Sequence, residues 1–315
     1  MQAENAFKKI LLPVDGSVPS IAARDMAADF AKKFDSKVMV LYVVSHELMS
    51  PTMQKYTEPW NRHEHVYTGA RGSAVYTPQV HMPESPGTTE LSTEVAGEIT
   101  EIYTKEGEDI LKDTVDALKE EDIEADKKLV VRADPANTIL NESENYSMII
   151  LGNSGEEEKE PHLGSVAKKV AHRAKIPVLV TRGKREISKI LAPIDGSEHS
   201  FRTLRYVDIL ATRAKAEVTL LYVQETGIFR LRPNVTQEIG NRLLSAATTQ
   251  LKNVKSEQKL ESGDPAKTIL EMAKKGDYDV IVIGSRGHST MEMFMLGEVS
   301  DHVLQYADRP VLITK

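Results

Sequence analysis

The stretch Ile10-Leu11-Leu12-Pro13-Val14-Asp15-Gly16-Ser17 returns as Ile190-Leu191-Ala192-Pro193-Ile194-Asp195-Gly196-Ser197, displaced by 180 residues. Each copy is a short apolar run ending in an Asp-Gly-Ser turn, which reads as a buried strand leading into an amphipathic helix. The expected apolar helix face is Ala23, Ala27, Phe30, Ala31 and Phe34 in the first copy and Phe201, Leu204, Val207 and Ala211 in the second. The same offset carries Leu41-Tyr42-Val43 onto Leu221-Tyr222-Val223, read as second strands. A chain that repeats itself at this length folds as two copies of one design.

Later landmarks keep the order of the repeat at a shorter spacing. Asp134-Pro135-Ala136 matches Asp264-Pro265-Ala266 at an offset of 130, so the first copy holds 50 additional residues after its second strand. Further strands follow at Met148–Leu151 and Val280–Ile283, and terminal strands at Val178–Arg182 and Val311–Lys315. Alternating strands and helices with continuous apolar strands predict a doubly wound, parallel, five-stranded α/β sheet of the Rossmann-like class in each copy. The expected domains are 1–184, with an insert at 45–90, and 185–315. Within the insert, His65-Val66-Tyr67-Thr68 and Ala74-Val75-Tyr76-Thr77 flank Gly69-Ala70-Arg71-Gly72 and read as a hairpin. The terminal strands could pair within the chain as an internal pseudo-dimer, satisfying each other's exposed edges, and a homodimer of chains is a further expectation.

Charge and composition then narrow the class. Across 315 residues the formal net charge is -7, which gives no electrostatic case for nucleic acid or an anionic membrane as partner. Cysteine is absent, which removes disulfides and thiolate chemistry. No apolar run approaches the roughly 18 residues of a membrane span, and Met1 to Lys9 lacks the hydrophobic region of a signal peptide, so a cytoplasmic location is expected.

After each fourth strand the chain enters a glycine loop: Gly284-Ser285-Arg286-Gly287 before a helix near Gly297, and Gly152-Asn153-Ser154-Gly155 before one near Gly164. Glycines let main-chain amides approach a small ligand, and a helix N-terminus favours an anion. In a doubly wound sheet such loops meet the Asp15 and Asp195 turns if the strands before them are neighbours where the winding reverses. A structural account competes: the aspartates cap their turns, helped by Ser17 and Ser197, and the glycines serve packing.

These residues resemble the universal stress protein family in its tandem form, whose fold is the adenine nucleotide alpha hydrolase-like one. ATP-binding members carry Gly-x-x-Gly, nine residues, then Gly-Ser or Gly-Thr, with an Asp after the first strand. The resemblance implies an adenine-nucleotide site in the second copy at Pro193, Asp195, Val223, Ile283, Gly284, Gly287, His288, Gly297, Glu298 and Val299. In it Asp195 approaches adenine or ribose and the Val223 backbone meets adenine. The first-copy counterparts are Pro13, Asp15, Val43, Leu151, Gly152, Gly155, Gly164, Ser165 and Val166. Both copies depart from the family pattern. Glu298 stands where a phosphate-binding hydroxyl belongs, and the first loop is one residue short and carries the acidic run Glu156-Glu157-Glu158-Lys159-Glu160.

The expected function is a stress-response regulator that senses ATP, ADP or AMP, with or without Mg²⁺, and signals through protein interfaces. The competing expectation is a ligand-free scaffold that acts by protein contacts alone. Enzyme signatures are missing: no P-loop, dinucleotide fingerprint or nucleophile elbow occurs, leaving at most slow ATP hydrolysis and no catalytic residue to name. His63 and His65, with His46 and His81, read as surface residues rather than metal ligands. Met291, Met293 and Met295 read as core or pocket-mouth packing.

Overall fold

The computed structural model describes residues 5–45, 67–68, 74–75, 93–154, 163–183, 186–225, 233–286 and 296–315. Gly155, Gly287, His288, the 156–160 acidic run, the four insert histidines and the methionines at 291, 293 and 295 lie outside them.

The first half runs β1 (Lys9–Pro13), α1 (Val18–Phe34), β2 (Lys37–Ser45), a short antiparallel pair of β3 (Tyr67–Thr68) and β4 (Ala74–Val75), α2 (Thr93–Lys119), β5 (Ala125–Ala133), α3 (Pro135–Glu142), β6 (Met148–Gly152), α4 (Ser165–Arg173) and β7 (Val178–Thr181). The second runs β8 (Lys189–Ile194), α5 (Glu198–Ala214), β9 (Glu217–Gln224), α6 (Pro233–Thr248), β10 (Ser256–Ser262), α7 (Pro265–Lys275), β11 (Val280–Gly284), α8 (Glu298–Tyr306) and β12 (Val311–Thr314). Tyr67 faces Val75 and Thr68 faces Ala74 in the small pair, as the hairpin reading expects.

Ten strands form one sheet in the order β10-β9-β8-β11-β12-β7-β6-β1-β2-β5. Within each half all neighbours are parallel; at the centre β7 and β12 pair antiparallel, with Val180 opposite Val311 and Val178 opposite Ile313. In both halves the chain winds outward from its first strand and then jumps back past it, so the reversal falls between β1 and β6 and between β8 and β11.

Side chains alternate across this sheet into two cores. Ile10 and Leu12 enter the layer under α1, α2, α5 and α6, whereas Leu11 enters the layer under α3, α4, α7 and α8. That two-sided burial explains the unbroken apolar runs, at about 1.5–3 kcal/mol for each large side chain removed from water. The predicted α1 face is buried in full, and Met26 joins it. On α5 Leu204, Val207 and Ala211 are buried, but Phe201 is half-buried at the margin. Capping follows the sequence signals. Ser17 and Ser197 accept from the amides of Ser20 and Ser200, and Asp134 and Asp264 from those of Asn137 and Lys267, each worth about 1 kcal/mol.

Candidate functional site

The register places β1 beside β6, with Ile10 opposite Met148, and β8 beside β11, with Val280 opposite Ile190. Each Asp-Gly-Ser turn therefore leaves the same end of the sheet as the glycine loop of its own half. The crevice where the winding reverses is the expected ligand position in an open α/β sheet.

The aspartates are engaged in their turns. Asp15 Oδ1 accepts from the Ser17 amide at 3.1 Å and from Ser17 Oγ at 2.6 Å, while its own amide donates to Ser20 Oγ at 3.2 Å. Asp195 Oδ1 accepts from the Ser197 amide at 2.9 Å. Gly16 and Gly196 adopt φ of +81° and +84°, and a Cβ at Gly16 would stand 2.7 Å from Ile110. The turn glycine is thus imposed twice, by backbone conformation and by α2 above it.

The strand-end glycines also have a packing role. A Cβ on Gly152 would come within 2.7 Å of the Pro19 carbonyl carbon, and one on Gly284 within 3.1 Å of Thr203 Oγ1. These residues let α1 and α5 lie close on β6 and β11. Around Gly284, Ser300 Oγ donates to its carbonyl at 2.7 Å, and Thr203 shares a 2.7 Å hydrogen bond with Thr314.

Beyond the glycines the loop ends are clasped alike in both halves. The Gly164 amide donates to the Asn153 carbonyl at 2.7 Å, and the Gly297 amide to the Ser285 carbonyl at 2.8 Å. Gly164 and Gly297 are the N-caps of α4 and α8. Among the described residues no side chain caps either helix, and a helix N-terminus of this kind carries the amide donors and positive dipole end that suit an anion. Ser165 and Glu298, the first helical residues, are exposed, while Val166 and Val299 pack partly on the core beneath.

The flanking predicted residues lie at or near the strand ends of each half. Leu151 and Ile283 are buried, as is Pro193, and Pro13 is half-buried. The ladder between β8 and β9 ends at Ile194 opposite Tyr222, so Val223 is the first β9 residue beyond it. Val43 likewise extends past the last β1–β2 pair, Pro13 opposite Leu41. Both valines thus reach the crevice end with no first-strand partner beside them.

Sequence reasoning missed the wall contributed by α2. Gly107 sits against the Tyr42 ring, since a Cβ there would be 2.5 Å from it, and Gly240 of α6 does the same for Tyr222. Burial pushes the Glu106 carboxyl up to about 7. Burial, then Glu106, Asp15 and Tyr103, raise the Tyr42 hydroxyl. Tyr222 is raised by burial and then by Asp195 and Glu225. The repeated Leu-Tyr-Val could have flagged the tyrosines; nothing in the sequence marks Glu106.

Three comparisons place this arrangement. A family model described as the universal stress protein family matches residues 6–68, 65–182 and 186–315. Universal stress protein YxiE of Bacillus subtilis is 34% identical over 146 residues, covering 41% of this chain and 99% of that one. A universal stress protein of Mycobacterium tuberculosis is 25% identical over 231 residues, covering 67% of this chain and 77% of its own. The crystal structure of a universal stress protein from Archaeoglobus fulgidus superposes over 100% of this chain and 99% of that one, with a TM-score of 0.67 at 22% identity. With the strand order repeated in both halves, the chain belongs to the universal stress protein family, in its tandem form.

Proposed function

We propose that this chain is a stress-response regulator that binds an adenine nucleotide in the crevice of at least one half, 1–184 or 185–315, and transmits occupancy through protein contacts. The observation that carries the reading is the clasped loop with its uncapped helix end, built twice and set each time beside a strand-end aspartate. Amides of the first turns of α4 and α8 would meet phosphate. Asp15 or Asp195 would meet adenine or ribose, with main chain near Val43 or Val223 along the base.

The donor sets differ in what they would accept. At α4 the exposed Ser165 adds a hydroxyl beside the amides, which fits a phosphate. At α8 the exposed Glu298 opposes one, so AMP or ADP would suit the second half better than ATP. Among the described residues no three His, Asp or Glu side chains converge as a metal cage, so Mg²⁺ would arrive held chiefly by the phosphates.

Calorimetry with ATP, ADP and AMP, with and without Mg²⁺, tests the proposal on the full chain. Saturable binding is expected, and no binding to either half at millimolar nucleotide overturns it. A ligand-free scaffold is the second reading. It is favoured by the packing roles of Gly152 and Gly284 and by the engagement of Asp15 Oδ1 within its own turn.

A further inference from the structure

Helix α2 runs against the strands, since it hands over to β5 at the far end of the sheet, where Ala125 pairs with Val38. Two glycines fix its seat at the crevice end. Gly107 lies on the Tyr42 ring, and Ile110 covers Gly16 of the Asp15 turn, 2.7 Å from where a Cβ would stand. The helix starts at Thr93, so about 21 Å of it precedes Gly107 and continues past the strand ends. Its counterpart α6 starts at Pro233, about 10 Å before Gly240, which holds the same seat on Tyr222. The first half therefore has the longer helix beside its crevice.

Glu106 stands at the foot of that extension. Residues 103, 106, 107 and 110 share one helix face by their spacing of three and four, and Gly107 and Ile110 turn that face to the sheet. The Tyr42 hydroxyl feels the charges of both Glu106 and Asp15, which puts the two carboxyls at the same end of β2. Burial raises the Glu106 carboxyl to about 7, and no hydrogen bond or cation is among the causes. Its titratable neighbours are Asp15 after β1, Tyr42 on β2 and Tyr103 on its own helix, none of them a cation.

The fold does not ask for a carboxyl here. In α6 the residue before Gly240 is Ile239, which is exposed, while Leu243 covers Gly196 as Ile110 covers Gly16. Seating the helix requires the glycine and the aliphatic residue, not the acid. A half-buried carboxyl with nothing to offset its desolvation costs stability, and groups of this kind gather where a ligand completes them.

We infer, taking the first crevice to hold an adenine nucleotide as proposed, that Glu106 is a specificity-determining residue there, meeting the base beside Asp15. The base is the part within its reach because it lies along β2 near Val43, the neighbour of Tyr42. Adenine presents an amino donor next to a ring-nitrogen acceptor, and an un-ionised carboxyl offers the matching acceptor and donor. Once ionised, Glu106 loses the donor and adds a second negative charge near Asp15, against an anionic ligand. Nucleotide binding in the first half therefore takes up a proton at Glu106, a step with no counterpart at Ile239 in the second.

Calorimetry of ADP with the full chain at pH 6 and pH 8 tests this, beside Glu106→Gln, whose amide keeps a donor and an acceptor at every pH. The affinity of the parent relative to Glu106→Gln should fall about tenfold between the two, as a carboxyl with its midpoint at about 7 ionises. The phosphate's own titration is common to both proteins and cancels in the ratio. Glu106→Ala should weaken ADP about three- to tenfold at pH 6. In carbon-13 NMR, ADP should move the Glu106 titration midpoint upward. ADP bound in the first half with one pH profile for parent and Glu106→Gln, or with an unmoved Glu106 midpoint, overturns the inference and leaves nucleotide binding standing. Binding that Asp15→Ala preserves and Asp195→Ala abolishes confines nucleotide to the second half and overturns it as well. No ADP binding at millimolar concentration removes both this inference and the proposed function.

Discussion

His172 Nε2 lies 2.7 Å from Asp301 Oδ1, tying α4 of the first half to α8 of the second beside the antiparallel strand seam. Lys168 stands 4.0 Å from the other oxygen of the same carboxylate. The pair is a quarter to a third exposed, so its coupling falls in the range of partly screened ion pairs. A double-mutant cycle of His172→Ala and Asp301→Ala, read by denaturant unfolding at pH 6, should give about 0.5–1 kcal/mol. It should shrink as salt rises toward 1 M; a salt-independent value would refute the electrostatic account.

Gly152→Ala is expected to destabilise the fold by about 1–3 kcal/mol, since its Cβ would press on the backbone of Pro19 at 2.7 Å, where no rotamer can give way. Gly164→Ala meets its nearest neighbour at 3.1 Å and should cost less. Thermal unfolding of the two variants distinguishes them; an equal or reversed order would show that the strand-end glycine is not set by α1.

The Glu106 carboxyl is raised by burial from an ordinary value of 4.5 to about 7. A folded-state value above the unfolded one means that the fold binds the extra proton. The associated stability is fully present below pH 4.5 and lost as pH rises to about 7. The side chain is only half-buried, so screening reduces the effect to about 1–2 kcal/mol. Glu106→Gln should be more stable than the parent at pH 8 by that amount, with the difference vanishing near pH 4; parallel profiles would remove the argument.

Removing the opposing charge at the start of α8 should favour triphosphate. If the second half binds nucleotide, Glu298→Ser is expected to tighten ATP by about fivefold, the equivalent of a unit charge near 4 Å in a water-like dielectric, and AMP by less. Equal effects on both nucleotides, or none, would place the phosphates away from this residue.

The inner strands were legible because burial on both faces writes itself as four consecutive apolar residues, as in Val280–Ile283. The repeat could bring each Asp turn to its glycine loop only if the strands before them were neighbours, a condition that the pairing of β1 with β6 and of β8 with β11 meets. The outer strands were not locatable: Ser256–Ser262 and Ala125–Ala133 carry lysines and acids, because an edge needs charge to discourage further pairing. The α2 wall was hidden for a related reason. Glu106 is a charged residue on a helix whose visible signal is polar, and only its burial in the fold gives it a raised proton affinity. At the Asp-Gly-Ser turns the sequence left capping and ligand binding both open. Coordinates make the capping concrete at Asp15, whose Oδ1 accepts from the amide and hydroxyl of Ser17.

The central pairing of Val178–Val180 with Val311–Ile313 uses up the innermost strand edge of each half. A half expressed alone would carry that apolar hydrogen-bonding ribbon uncovered. Severing the chain between residues 183 and 188 should therefore yield fragments that reassociate with one another or precipitate. The linker's contribution is stoichiometry, keeping the two halves permanently one to one.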